Sequence, residues 1–204
     1  MINKTNVSKI ETAGSQAVHL LSLFLICIAF WLTLSGSLKP KFIVYGVLAS
    51  AATAWISYPL LLVPNKSGTK QYFVFGVPVF GFCSYCVWLL WQLILANIDV
   101  LKATTGKELA INPRVVRFYF KADNPMAYVM LANSITLTPG TVTINVTDED
   151  LFEIHALTDG AAAGVLDGSM QKKVAELYGG KFYFAGARSE GGLLKLFFLF
   201  LLFP

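Results

Sequence analysis

Three long stretches of the chain are rich in apolar residues and contain no Asp, Glu, Lys or Arg, at 18–35, 42–63 and 72–98. A helix that crosses a bilayer needs about 20 mostly apolar residues, because each residue adds about 1.5 Å of length. The first stretch is barely long enough, and the third has length to spare. The pattern therefore predicts three transmembrane helices in the first half of the chain.

The remaining chain has short periodic segments. Residues 114–121 alternate between apolar and polar side chains, which predicts a half-buried strand. Asp123-Asn124 followed by Pro125 supplies an N-cap and a proline suited to the first turn of a helix. Residues 126–137 carry no charge, so we expect that helix to be buried on nearly all sides.

Thr138-Pro139-Gly140-Thr141 fits a type II turn, because proline fixes φ at its second position and glycine accepts positive φ at its third. Alternation at 141–147 and again at 152–156 predicts an antiparallel hairpin. The spacing of Leu166, Met170, Val174 and Leu177 predicts one more helix, which Gly179-Gly180 should end. The predicted fold is an α-helical membrane protein with three N-terminal transmembrane helices plus a small α+β cytoplasmic domain in βαββα order.

Four regions follow from these patterns. They are a polar extension at 1–17, which we expect to be disordered, a transmembrane region at 18–98, an α+β domain at 99–180 and an atypical apolar tail at 181–204. Residues 193–204 would reach only about 18 Å as a helix, too short for a bilayer of about 30 Å. This segment lies at the interface, packs on another subunit or is altered sequence, and we assign it no function.

Composition and charge agree with a membrane protein. Hydrophobic residues make up 55% of the chain and charged residues 14%, and the mean hydropathy is +0.61, outside the usual range of soluble domains. A cluster of Lys and Arg follows the third stretch, so the bias of basic residues towards the cytoplasm places the C-terminal domain inside the cell, in a multi-pass plasma-membrane protein. Three full spans, however, put Lys66 and Lys70 outside. The alternative is that the third stretch is tilted or partly in the membrane plane.

The predicted spans carry no ionisable residue in their interiors, and buried ionisable groups are what an ion path through hydrocarbon requires. We therefore expect the chain alone to be a poor ion conductor. Gly46, Ser50 and Ala54 recur every four residues and predict a helix-packing face. That face fits either the first predicted helix or another subunit.

Features of catalytic and metal sites are weak. Cys83 and Cys86 form a C-x-x-C spacing inside an apolar stretch without a second ligand pair, which argues against a metal or redox site. His155 and Glu153 share the polar side of a predicted strand, but no nucleophile motif accompanies them. We expect no enzyme activity, no metal and no cofactor.

Four blocks carry a resemblance in order and spacing: 31–36 (WLTLSG), 95–100 (LANIDV), 111–114 (INPR) and above all 131–143 (LANSITLTPGTVT). With these blocks the chain resembles the E subunit of multisubunit Mrp (Mnh) Na⁺/H⁺ antiporters over roughly 18–178. The resemblance implies an accessory membrane subunit that supports assembly or stability of ion-translocating subunits. Its implied partners are those subunits and the lipid bilayer, with no nucleic acid.

Two other functions stay open: the equivalent subunit of an Mrp-like module in an energy-converting hydrogenase-type complex, and a standalone membrane-anchored binding protein. The candidate site is the turn block, whose hydroxyl and amide groups either contact a neighbouring subunit or satisfy their own helix end and turn. It consists of Asn133, Ser134, Thr136, Thr138, Pro139, Gly140 and Thr141.

Overall fold

The computed structural model describes residues 11–12, 16–106, 111–178 and 185–191, and of 11–12 and 185–191 the backbone alone. The chain divides into two compact units, Met1–Gly76 and Val77–Pro204. Each unit is treated by itself below. Residues 193–204 of the predicted tail, Gly179-Gly180 and most of the predicted N-terminal extension lie outside the described residues.

The first unit contains two apolar helices and a small sheet. Its elements are β1 (Glu11–Thr12), α1 (Gln16–Ser35), α2 (Pro40–Ser57), a 3₁₀ turn (Tyr58–Leu61), β2 (Leu62–Pro64) and β3 (Lys70–Phe73). Helices α1 and α2 pack on each other, and the Trp31 indole nitrogen donates a 3.0 Å hydrogen bond to the Phe42 carbonyl. β3 pairs antiparallel with β2 and parallel with β1.

The second unit contains the third apolar helix and the α+β domain. Its elements are α3 (Val79–Thr105), β4 (Arg114–Tyr119), α4 (Pro125–Leu137), β5 (Thr141–Val146), β6 (Leu151–Ala156), α5 (Asp159–Leu166), α6 (Ser169–Leu177) and β7 (Ala185–Gly191). The sheet has the order β5-β6-β4-β7 with antiparallel neighbours, which leaves β5 at an edge among the described strands. Alternate residues of β4 and β6, including Phe118, Phe152 and Ile154, are fully buried against the helices.

The structure confirms the predicted fold class. α1, the segment Pro40–Leu61 and α3 are each long and apolar enough to cross a membrane, and the predicted βαββα elements follow α3 in order. Two elements of the second unit are additional. The predicted helix through 166–177 is two helices, because Gly168 adopts φ +75° and separates α5 from α6. Strand β7 joins the sheet beside β4.

Helix bounds differ from those predicted. The second helix ends at Ser57 and continues only as the 3₁₀ turn, since Pro59 lacks the N–H that an α-helix needs there. The third begins at Val79 rather than residue 72, because 70–73 form β3 and Pro78 begins the helix as its N-cap. It then continues to Thr105, past Asp99 and Lys102.

Helix α4 is not buried on nearly all sides as predicted. Ala127, Leu131, Ser134 and Ile135 face the interior, whereas Val129 and Leu137 are at least half exposed. α4 packs on the sheet by one side only. The absence of charged residues from its outer side does not mean that another element covers that side. The outer side is thus an apolar surface.

Candidate functional site: the α4–β5 elbow

The turn block forms a tight elbow between α4 and β5. The amide of Thr141 donates to the carbonyl of Thr138 at 3.2 Å, and Gly140 adopts φ +85°. This is the predicted type II geometry, in which only glycine takes positive φ at the third position without strain. The Gly140 carbonyl accepts a 2.8 Å bond from Leu157, so the turn is also fixed to the chain after β6.

Threonine hydroxyls close the end of α4 at this elbow. The Thr138 hydroxyl donates to the Ser134 carbonyl at 2.9 Å, and the buried Thr141 hydroxyl lies 2.6 Å from the Ile135 carbonyl. These carbonyls belong to the last turn of the helix, where the Thr138 amide also donates to both of them. The two side chains therefore satisfy their own helix end.

A second pair of bonds joins α4 to β5 along its side. The Thr143 amide donates to the Thr136 hydroxyl at 3.1 Å, and the Thr143 hydroxyl donates to the Ala132 carbonyl at 3.0 Å. Ser134 accepts a 2.6 Å bond from the Tyr85 hydroxyl of α3. Five members of the turn block are thus brought into one network around the helix end. Asn133, by contrast, is exposed on the outer side of α4.

The elbow borders a cavity of about 200 Å³ inside the second unit. Thr138, Pro139 and Thr141 line it beside Asp99 of α3 and Gln171 of α6. Gln171 is fully buried; its amide nitrogen donates to the Val165 carbonyl at 2.7 Å, while its Oε1 has no hydrogen-bond partner among the described residues. A buried, unsatisfied acceptor thus belongs to the residues that line the cavity.

Apolar side chains surround the exposed part of the elbow. Val142 and Ile144 of the edge strand β5 are each about half exposed, although alternation alone would direct apolar residues inward. The register explains this: Thr143 pairs with Ile154 on the core face, and the irregularity between Thr143 and Asn145 leaves Ile144 outside the regular pairing. Val142 therefore lies on the sheet face opposite α4. Val129, Asn133 and Leu137 are exposed along the outer side of α4, and we name these three residues the outer elbow face.

The other candidate residues are separate from the elbow. Glu153 forms a 2.8 Å ion pair with Arg117 across β4 and β6, and His155 lies opposite Val115 and Val142. Cys83 and Cys86 are free thiols on α3. Among the described residues no group of three His, Cys, Asp or Glu side chains could hold a metal ion.

Gly46, Ser50 and Ala54 are the buried residues of α2. A side chain added at Gly46 would overlap the Trp31 ring, so this face packs against α1 inside the first unit. Sequence reasoning missed Tyr85, Asp99 and Gln171. Their roles depend on which helix faces pack together, and no local motif encodes that.

Comparisons with known proteins agree on the family. The family model described as Na⁺/H⁺ ion antiporter subunit (MNHE) matches residues 24–177. Na⁺/H⁺ antiporter subunit E1 of Staphylococcus aureus strains JH9 and Newman is 28% identical over 143 residues, covering 70% of this chain and 84% of the relative. These relatives are subunits of transporters rather than enzymes in the usual sense.

Two solved structures are also similar. A chain of the membrane-bound sulfane sulfur reductase (MBS), an archaeal respiratory membrane complex, is 27% identical with a TM-score of 0.58, covering 78% of this chain and 99% of that chain. A chain of the Mrp complex from Dietzia sp. DQ12-45-1b is 24% identical with a TM-score of 0.33, covering 47% and 90%. The chain therefore belongs to the Na⁺/H⁺ ion antiporter subunit family and is a membrane subunit of an Mrp-type or Mrp-related multisubunit complex.

Proposed function

We propose that this chain is an accessory subunit that assembles or stabilises the ion-translocating subunits of a Na⁺/H⁺ antiporter and does not conduct ions itself. The observation that carries the proposal is the absence of Asp, Glu, Lys and Arg from the central parts of α1, α2 and α3. A proton or cation path through hydrocarbon needs such groups. A family member without such charged groups contributes to the structure of the complex and does not provide an ion path.

The outer elbow face is the proposed docking surface for a neighbouring subunit. Most hydroxyls of the turn block form hydrogen bonds within the domain, so they fix the shape of the surface and do not bind the partner themselves. Asn133 differs, because its side-chain amide is exposed. Val129 and Leu137 supply exposed apolar area on the same side of the helix. We place this domain in the cytoplasm, on the side that the basic residues following α3 favour.

Affinity purification of the tagged chain from native membranes in mild detergent tests the proposal. Leu137→Asp and Asn133→Ala alter the outer elbow face without entering the core. We expect both variants to accumulate in the membrane but to recover several-fold less of the large multi-span subunits, with lower sodium tolerance of the cells.

Ala163→Asp is the matched control, because it adds a charge at an exposed helical position outside this face. Recovery of the wild-type chain without multi-span subunits would contradict the accessory role. Normal complex recovery with both surface variants would contradict only the docking surface.

A second candidate function has its own support. The similarity to a chain of the archaeal respiratory complex, over 99% of that chain, favours an equivalent role in a complex with electron-transfer subunits. The same purification distinguishes the two, since iron–sulfur or hydrogenase-like subunits would then be recovered with the chain.

A further inference from the structure

We infer that α3, although it is long and apolar enough to cross the bilayer, lies in the membrane plane, so that only α1 and α2 cross. Its outer face then lies in lipid and its inner face under the α+β domain. This inference concerns topology and does not depend on the antiporter role. Along the inner face of α3, Tyr85 and Trp88 pack in the domain core, and Gln92, Ala96 and Asp99 line the cavity shared with the domain.

The contacts extend almost from end to end. A methyl group at Gly81 would lie 3.2 Å from Leu177 Cδ1 of α6, and one at Gly140 would lie 3.2 Å from Val100 Cγ2. The segment from Gly81 to Val100 is about 28 Å long, which is nearly the hydrocarbon thickness of about 30 Å. A spanning α3 would therefore bring the domain into the hydrocarbon with it.

Charged groups of the domain rule out that arrangement energetically. Lys173 and Glu176 of α6 share a pocket with Gly81 and Ser84, near the first turns of α3. Both charged side chains are about half exposed, and Asp99 lines the cavity near the other end of the helix. Placing these charges at bilayer depth is strongly unfavourable, so both ends of α3 belong on the same side of the membrane.

The outer face of α3 fits lipid better than another helix. Large apolar side chains predominate among its exposed residues between Phe80 and Leu101, including Val87, Leu90, Trp91, Ile94 and Ile98. Cys83, Ser84, Asn97 and Asp99 are also exposed. Helix–helix contacts in membranes favour small residues, and the small exposed residues in this segment are Cys83 and Ser84. Trp91 and Lys102, the latter in the last turn, are of the residue types that anchor at a membrane interface.

The distribution of lysines favours the same topology. If only α1 and α2 cross, Lys66 and Lys70 lie in the cytoplasm with the domain, and only the short loop with Lys39 and Lys41 faces outward. If α3 also crosses, Lys66 and Lys70 lie outside. The arrangement with two spans therefore agrees with the bias of basic residues towards the cytoplasm, whereas the arrangement with three spans does not.

Cysteine labelling tests this topology in the full chain within native membranes. In a background where Cys27, Cys83 and Cys86 are alanine, single cysteines are introduced as Leu38→Cys, Ser67→Cys and Glu149→Cys, all at exposed loop positions. A membrane-impermeant maleimide is added to intact cells and to inverted vesicles. We expect Leu38→Cys to react from outside, and the other two only in inverted vesicles. Labelling of Ser67→Cys from outside would overturn the inference.

Trp91, near the middle of α3, provides an independent measurement with the native cysteines in place. Trp31, Trp55 and Trp88 are changed to Phe, and the full chain is reconstituted in phosphatidylcholine–phosphatidylglycerol vesicles with lipids brominated at defined depths. An in-plane helix predicts stronger quenching by shallow bromines, whereas maximal quenching by deep bromines overturns it.

Spin labels at Val87→Cys and Ile94→Cys in the purified complex distinguish lipid from a protein partner. If both spin labels collide frequently with oxygen and lie at the same shallow depth in the bilayer, the outer face of α3 contacts lipid. Ala163→Cys is the water-exposed control. Shielding from both oxygen and a water-soluble relaxant would show a covering subunit and overturn the inference.

Discussion

The Tyr85 hydroxyl of α3 donates a 2.6 Å hydrogen bond to the Ser134 hydroxyl of α4, and both side chains are buried. Ser134 stands inside the turn block, one turn before the elbow. The bond therefore joins the third apolar helix directly to the segment that defines the family resemblance.

A double-mutant cycle measures this contact. Tyr85→Phe should lower the free energy of unfolding by about 1 kcal/mol, and Ser134→Ala by more, about 1–3 kcal/mol, because the buried Tyr85 hydroxyl then lacks its acceptor. The double variant should lose less than the sum. Denaturant unfolding of the full chain in detergent gives the values, and strict additivity would show that the two hydroxyls do not interact.

Gly140→Ala should destabilise the elbow by about 1 kcal/mol or more, since alanine is strained at φ +85° and its methyl group would press on Val100. We expect less assembled complex in native membranes and lower sodium tolerance. Gly164→Ala is the control: it lies in α5 with nothing within 4 Å of the added carbon. A helical Gly-to-Ala change there should stabilise by up to about 1 kcal/mol. Equal effects of both changes would argue against the turn conformation as the cause.

Local patterns predicted local features well. The Asn124 cap accepts from the Met126 amide at 3.0 Å, and the Thr-Pro-Gly-Thr turn has its predicted bond and positive φ, because these features depend only on neighbouring residues. The apolar period also predicted the three long helices and the hairpin. These parts of the fold follow from side-chain chemistry at short range.

Long-range packing decided the rest. The sequence pattern of 72–98 contains no information that 70–73 would pair with β2 or that α3 would meet α4 through Tyr85. Likewise, the polar Thr141 is buried and the apolar Val142 is exposed, because a helix-end carbonyl provides Thr141 with an internal acceptor. The satisfaction of the turn block within its own domain could be seen only once α4 and β5 were placed together.

Gly46→Val should separate α1 from α2, because the new side chain would overlap the Trp31 indole ring. We expect lower thermal stability in detergent and less protein in the membrane. Ala52→Val introduces the same side chain on the exposed side of α2 and should leave both unchanged. Tolerance of Gly46→Val would show that α1 and α2 can move apart without loss.

Alkaline pH should destabilise the α+β domain through Tyr128. Burial, together with the nearby Asp150 and Asp123 carboxylates, raises the pKa of Tyr128 to about 12, despite the opposing hydrogen bond from the Ala122 amide. The folded state thus holds the phenolic proton more tightly than the unfolded chain, whose tyrosine pKa is 10.0. The stabilisation is complete below pH 10 and is lost as the pH rises towards the folded pKa.

The free energy of unfolding of the full chain in detergent should therefore fall between about pH 10 and pH 12, and Tyr128→Phe should make that slope shallower. The variant should also be less stable at neutral pH, because the Tyr128 hydroxyl donates a 2.7 Å bond to Asp150. Tyr119→Phe, at an exposed position of β4, should keep the wild-type slope. If Tyr128→Phe also kept that slope, the loss of stability at alkaline pH would have to come from the titration of other groups, because removing the Tyr128 hydroxyl would not have changed it.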